Sequence, residues 1–234
     1  MDERRAAHVA AVAALAEPTR RRLYDHVVRG PEPVSRDEAA AAVAVPRATA
    51  AFHLDRLVAD GLLDVHYERR SGRSGPGAGR PAKLYRRAEC TVSVSLPERH
   101  YDLAGQLLAA ALTEVQQTGE RPAEALGRLA HGRGEQLGAA VGADVAGRAS
   151  VVRLLEEHGF EPREDDGDIA LANCPFHALA REHTELVCGM NLRLLQGGLD
   201  GLPGTGLTAR LQPTAGACCV RICPPGAEDP LTAV

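Results

Sequence analysis

The sharpest chemistry in the sequence belongs to its thiols. Of six cysteines in 234 residues, five lie after residue 170, and two of these, Cys218 and Cys219, are adjacent. In a reducing compartment, clustered thiols favour metal or redox chemistry over structural disulfides. Cys174 stands in Asn173-Cys174-Pro175-Phe176-His177, where a strand is expected to end and a helix over about 177–196 to begin. Cys188 follows His177 by eleven residues, about 16 Å along an unbroken helix. His177 and Cys188 therefore share a metal only if the helix breaks near Thr184-Glu185. His183, five residues before Cys188, points about 140° away around the helix and is a poor partner. Cys174 can fold back toward Cys188, and Cys218 or Cys219 from a final strand over 218–222 completes three thiolates. Strand alternation sends Cys218 to the face of Val220 and Ile222 and Cys219 to the other face, so one of the two reaches the site. The expected metal ligands are Cys174, Cys188 and one of Cys218 and Cys219, with His177 a fourth if the helix breaks. Three thiolates plus one other ligand suit an iron–sulfur cluster or a zinc ion. Inert buried thiols and a metal-free redox pair stay open. Cys90 and Cys223 are expected to have no role.

A second chemistry lies upstream. Residues 66–88 hold Arg69, Arg70, Arg73, Arg80, Lys83, Arg86 and Arg87 against Glu68 alone. Basic side chains on a Gly/Pro-rich loop can follow phosphates without reading sequence. Gly72 to Gly79 lacks the terminal Gly-Lys-Ser/Thr of a nucleotide-binding loop, which excludes that reading. Before this loop, Ala50, Leu54 and Leu57 form the inward face of a helix over 47–60. Arg47, Ala48, Ala51 and Phe52 then point outward, with Thr49 at the exposed helix start. The N-terminal residues of a recognition helix meet base edges. Arg47 suits a bidentate guanine contact, and Ala51 and Phe52 suit thymine methyl groups. Arg36, at the head of the preceding helix, joins this expected DNA-contacting set. His53, beside Leu54, reads as a packing histidine.

The elements that must position these groups follow from punctuation and period. Residues 9–28 are helical, with a break and a new first turn at Pro18. Ser35-Arg36-Asp37-Glu38 is a capping box opening the next helix. Pro46 opens the recognition helix and Gly61 ends it. Strands around 65–67 and 84–85 flank the basic loop. Helix, helix, turn, helix and a hairpin with a basic tip make a winged helix-turn-helix by pattern. Beyond it, residues 91–96 alternate and are expected to pair with the wing or open the second domain. Helices are expected over 98–117, over 122–140 (loosened by glycines) and over 149–158. A hairpin turning at Asp165-Asp166-Gly167 and strands over 207–211 and 218–222 complete an α+β region.

Composition narrows the classes further. Aromatic content is 3%, with no Trp, so the core must be Ala, Val and Leu, and base stacking is excluded as a main binding mode. The net charge of −4 divides into +4 over residues 1–90 and −8 over 91–234, as for a polyanion-binding module joined to something else. No apolar run is long enough to span a membrane. Asp2 and Glu3 before Arg4-Arg5, and His8 within the Ala/Val stretch, argue against a signal peptide, and the protein is expected to be cytoplasmic.

Pro46-Arg47-Ala48-Thr49-Ala50-Ala51-Phe52-His53-Leu54, with Leu57 and Gly61-Leu62, resembles the recognition helix of ArsR-type bacterial repressors. Residues 15–23 resemble that family's first helix. Gly79-Arg80-Pro81-Ala82-Lys83-Leu84-Tyr85 resembles the wing of its SufR-like branch, which joins such a domain to a cysteine-bearing C-terminal domain. Ala51 and Phe52 depart from the polar residues usual there, and the cysteine motif of the metal-sensing ArsR proteins is absent. For Cys174, Cys188 and one of Cys218 and Cys219 the resemblance implies an iron–sulfur cluster; zinc is the alternative cofactor.

The expected fold is mostly α with α+β parts, in three stretches. Residues 1–92 form the winged helix-turn-helix, 93–147 a helical linker or dimerisation segment (its helix over 98–117 reading equally as a core helix of the second domain), and 148–234 an α+β sensor. The expected function is a non-enzymatic, sequence-specific regulator, a homodimeric repressor on a double-stranded DNA operator, sensing cofactor or redox state. The alternatives are a regulator responding to a small molecule and, further off, a thiol enzyme using Cys188 with His177 or His183.

Overall fold

In the computed structural model, which describes residues 3–68, 81–141, 147–214 and 216–226, Pro18 divides the N-terminal stretch as its fixed φ requires. Helix α1 (Glu3–Ala14) stops before it and α2 (Pro18–Arg29) starts on it. The Glu17 carboxylate caps α2, accepting from the amides of Thr19 at 3.0 Å and Arg20 at 2.6 Å. A two-residue strand, β1 (Val34–Ser35), leads into α3 (Arg36–Val43). The expected capping box is present: the Glu38 amide donates to Ser35 Oγ at 3.3 Å and the Ser35 amide to Glu38 Oε2 at 2.8 Å. Ala44, left-handed at φ 55°, turns the chain into α4 (Arg47–Ala59), which ends before Gly61 at φ 71°. Strands β2 (Leu63–Glu68) and β3 (Ala82–Arg87) pair antiparallel with Val65 opposite Tyr85, and β1 adds to the far edge of β3. Two residues are too short to carry a period, which is why β1 was not foreseen. Leu23, Ala50, Leu54, Leu57 and Leu84 are wholly buried, so the inward face expected of α4 is the observed one.

The chain divides into two compact units, 1–94 and 95–234. Residues 91–96 form no strand. Val92 packs against the core of the first unit, while Leu96 is 78% exposed. The expected separate segment 93–147 does not stand alone either, because its helices α5 (Tyr101–Thr118) and α6 (Pro122–Ala140) supply the core of the second unit through Ala104, Leu107, Leu126 and Ala130.

The second unit continues with α7 (Arg148–Glu157), β4 (Pro162–Asp165) and β5 (Asp168–Leu171). Then come α8 (His177–Glu182), α9 (Thr184–Asp200), β6 (Thr208–Leu211) and β7 (Val220–Cys223). The antiparallel sheet has the order β4-β5-β7-β6. The single helix expected over 177–196 is two helices, broken at His183 (φ −129°, ψ 55°), and the second runs on through Gly197 and Gly198.

The glycines expected to loosen α6 do the opposite. A Cβ on Gly134 would lie 2.0 Å from the Leu194 carbonyl oxygen, and one on Gly138 2.2 Å from that of Gly198. From α9, a Cβ on Gly197 would meet the His131 carbonyl oxygen at 2.0 Å, and one on Gly201 that of Glu135 at 2.4 Å. The two helices approach backbone to backbone along this seam, a packing that only hydrogen at Cα permits.

Candidate nucleic-acid interface and thiol site

Helices α3 and α4 present the expected face. Arg47, Ala48 and Phe52 are exposed, Phe52 to 66%, and Thr49 and Ala51 partly so. A large exposed phenyl ring at the head of a helix has no role in the core of this unit. Its edge contact with the His53 ring, 5.2 Å between centroids at 70°, fixes its direction. His53 is a packing residue, as expected, with Nδ1 3.4 Å from Arg20 Nε and 3.6 Å from Glu17 Oε2. Arg47 Nε lies 2.5 Å from the Asp37 carboxylate, and Arg36 Nε lies 3.9 Å from the same oxygen. All three side chains are at least half exposed, and surface pairs of this kind contribute about 0–1 kcal/mol, so a phosphate or guanine can displace them.

Lys83 is committed differently. Its Nζ lies 2.5 Å from Asp55 Oδ1 on α4, the Tyr85 hydroxyl donates to the same oxygen at 2.7 Å, and Nζ stands 5.1 Å over the Tyr85 ring. This triad fastens the recognition helix to β3. Burial works to raise the Asp55 carboxyl, but the bonds from Lys83 and Tyr85 outweigh it and hold the carboxyl below its ordinary range. Burial and the bond to Asp55 push Tyr85 up to about 12. Lys83 and Tyr85, two apart on a strand, share a face; that was the available signal, and Asp55 had none. Arg69, Arg70, Arg73 and Arg80 lie outside the described residues.

The second unit holds two pairs of cysteines. Cys188, on α9, forms a disulfide with Cys219, with Cα atoms 6.3 Å apart. Cys174 and Cys218 are buried free thiols close enough to titrate together. The neighbouring Cys218 thiol lowers Cys174 against the effect of burial, and the neighbouring Cys174, with burial, raises Cys218. Cys218 and Cys219 meet different partners, Cys174 and Cys188. Strand β7 begins at Val220, so both cysteines lie in the bend before it, where alternation has no force. The bend is pinned by the Cys218 amide donating to the Leu171 carbonyl at 2.9 Å and by the Gln212 amide donating to that of Cys219 at 2.7 Å.

The Cys174 loop is braced by buried Asn173. Its Nδ2 donates to the carbonyls of Gly159 at 2.6 Å and Glu98 at 3.1 Å, and its Oδ1 accepts from Arg99, which also donates to the Cys174 carbonyl at 2.9 Å. Asn191, three residues after Cys188, places Nδ2 3.3 Å from Cys218 Sγ. Both asparagines were missed; an isolated Asn on the apolar face of a helix that carries Cys188 was the readable signal for the second. His177, exposed at the start of α8, is not brought to the thiols, and His183 is also exposed. Cys90 is exposed, its Sγ 3.2 Å from the Gly61 carbonyl, and Cys223 is buried. Among the described residues no group of three or more His, Cys, Asp or Glu side chains stands ready to hold a metal; Cys188 and Cys219 are tied to each other instead.

Two cavities bear on the small-molecule alternative. A small apolar one between Leu103, Phe160 and Phe176 holds about 20 Å³, room for about one water. A cleft of about 1010 Å³ beside Leu126, Arg128, Leu186 and Arg193 is open and mixed in polarity, unlike the mostly apolar enclosure typical of ligand sites.

Helices α2, α3 and α4, with α4 outward, and a three-stranded sheet make the first unit a DNA-binding module of the helix-turn-helix class. Comparison agrees: the family described as a helix-turn-helix domain matches residues 15–66. Neither curated proteins nor solved structures give a match to the chain. The domain points to a DNA-binding transcriptional regulator. Among the described residues no helix is long and apolar enough to cross a membrane.

Proposed function

We propose that the chain is a sequence-specific repressor, acting in the cytoplasm as a homodimer on a double-stranded operator. Its C-terminal unit binds an iron–sulfur cluster, or zinc, through cysteines and reports cofactor or redox state. The observation that carries this reading is the meeting of Cys174, Cys188, Cys218 and Cys219 as two pairs joined through the Cys218–Cys219 peptide bond. The donor chemistry fits, since soft thiolates select zinc and iron–sulfur clusters. Once Cys188–Cys219 is reduced, four sulfurs are available, and the exposed His177 is not needed. A cluster bound there would supply sensitivity to iron supply and oxidants. The Cys174 loop, α9 and the bend before β7 are joined through these side chains, so sulfur ligation bears on the packing of the unit. Two recognition helices must match half-sites about one helical turn apart, and any change in their spacing changes operator affinity.

Purification without oxygen, with an absorption spectrum, metal analysis and operator binding, tests the proposal. Brown protein with broad visible absorption, lost in Cys188→Ser and kept in Cys90→Ser, supports the cluster. Colourless protein with stoichiometric zinc supports the alternative metal. Colourless, metal-free protein that binds its operator normally refutes both.

A metal-free thiol switch is the second reading, favoured by the Cys188–Cys219 disulfide itself. Cytosolic disulfides in mesophiles are mostly transient or redox-sensing. Operator affinity that follows the thiol count in metal-free protein would favour it.

A further inference from the structure

Asn191 is 1% exposed on α9, surrounded by the apolar core of the second unit. Its Nδ2 lies 3.3 Å from Cys218 Sγ, and its Oδ1 has no hydrogen-bond partner among the described residues. Exchanging the two ends of the amide would let the Cys218 thiol donate to oxygen and would leave the amino group without a partner. Among the described residues, the only hydrogen-bonding partner of this buried amide in either orientation is a sulfur. A half-satisfied buried amide is destabilising, and a leucine of similar size would fill the same space without that cost. Fold stability alone therefore gives no reason for asparagine here.

Its place on the helix gives one. Asn191 follows Cys188 by three residues and so lies one turn along the same face of α9. One turn of the helix thus offers a thiol to Cys219 and the next an amide to Cys218. We infer that Asn191 is a positioning residue for the thiolate site, donating N–H to the Cys218 sulfur so that it serves as a ligand beside Cys174. The inference rests on the thiolate-binding reading above. Donors of this kind orient a ligating group and offset its negative charge, and removing one typically weakens metal binding about 10–100-fold.

The test uses the full-length chain, reduced and handled without oxygen, titrated with cadmium ion against a competing chelator. Sulfur-to-cadmium charge-transfer absorption reports binding, and the melting temperature of the metal-free protein is measured alongside. Wild type is expected to bind, and Cys188→Ser to bind far more weakly. Asn191→Leu is expected to lose about 10–100-fold in affinity while its metal-free form melts at or above the wild-type temperature. A merely structural asparagine gives the opposite pattern, a lower melting temperature with unchanged affinity, and that result overturns the inference. Should the leucine variant fail to fold, Asn191→Ala, measured where circular dichroism shows it folded, must show the same loss of affinity. Binding lost in Cys188→Ser but intact in both Asn191 variants refutes the role of Asn191 and leaves the thiolate site standing. A wild-type chain that binds no cadmium refutes the site, and the inference with it.

Discussion

The seam between α6 and α9 makes a prediction whose size follows from the distances. A Cβ on Gly134 would sit 2.0 Å from the Leu194 carbonyl oxygen and 2.7 Å from the Gly198 nitrogen, both backbone atoms. Neither can rotate aside, so Gly134→Ala must part the helices by about 1 Å to restore an ordinary contact. A gap of that order forfeits roughly a quarter to a half of the dispersion energy at each contact along the seam. Overpacking costs about 1–3 kcal/mol, and a backbone collision belongs at the upper end. Alanine returns about 1 kcal/mol through helix propensity, leaving a net loss of about 2 kcal/mol. Gly132, on the same helix, meets nothing within 4 Å, so Gly132→Ala keeps only the propensity gain of about 0.5–1 kcal/mol. The two variants should differ by about 3 kcal/mol, roughly 9 °C for a unit of this size. Scanning calorimetry is the assay, because it separates the transitions of two units that need not unfold together. Gly134→Ala melting at or above Gly132→Ala would refute the backbone-to-backbone seam.

Three further outcomes are expected. Arg47→Ala should cost about 1–3 kcal/mol on the cognate operator and little on random DNA, in fluorescence anisotropy with both duplexes; equal losses on both would reduce Arg47 to a phosphate contact. Neutralising Arg69, Arg70 and Arg73 together should weaken both duplexes and flatten the plot of log affinity against log salt by about one unit per lost phosphate contact; an unchanged slope counts against the loop as a backbone-tracking element. Tyr85, held up to about 12 from an ordinary 10.0, contributes stability that is complete below pH 10 and is lost as pH rises toward 12. Tyr85→Phe should remove that part of the alkaline decline in chemical denaturation of the first unit, and an unaltered decline would mean that the hydroxyl does not hold Asp55.

The local rules carried the first unit nearly whole. Pro18, the Ser35–Glu38 box, Pro46 and Gly61 act within a few residues of themselves, so their effect is legible without the rest of the chain. The period of Ala50, Leu54 and Leu57 then fixed which side of α4 is buried and left Arg47 and Phe52 outside. In the second unit the same reasoning found the helices and hairpin but misjudged what they do. Glycines in α6 read as weakness because helix propensity is a property of one helix, whereas the seam exists only when α9 lies against it. The cysteines could be counted from sequence, but not paired. Cys174, Cys188 and the Cys218–Cys219 bend come from a loop, a helix and the approach to a strand, and their meeting depends on where β5, α9 and β7 pack. Asn191 illustrates the same limit. Residue type and position say that it is polar on an apolar helix face; only the folded chain puts a sulfur 3.3 Å from its amide and, among the described residues, no hydrogen-bond partner against its oxygen. Most elements, and the outward face of α4, could be read from the residues alone, since those are settled by interactions a few residues long. Which cysteines pair came only with the folded chain, since those side chains are brought together only by packing.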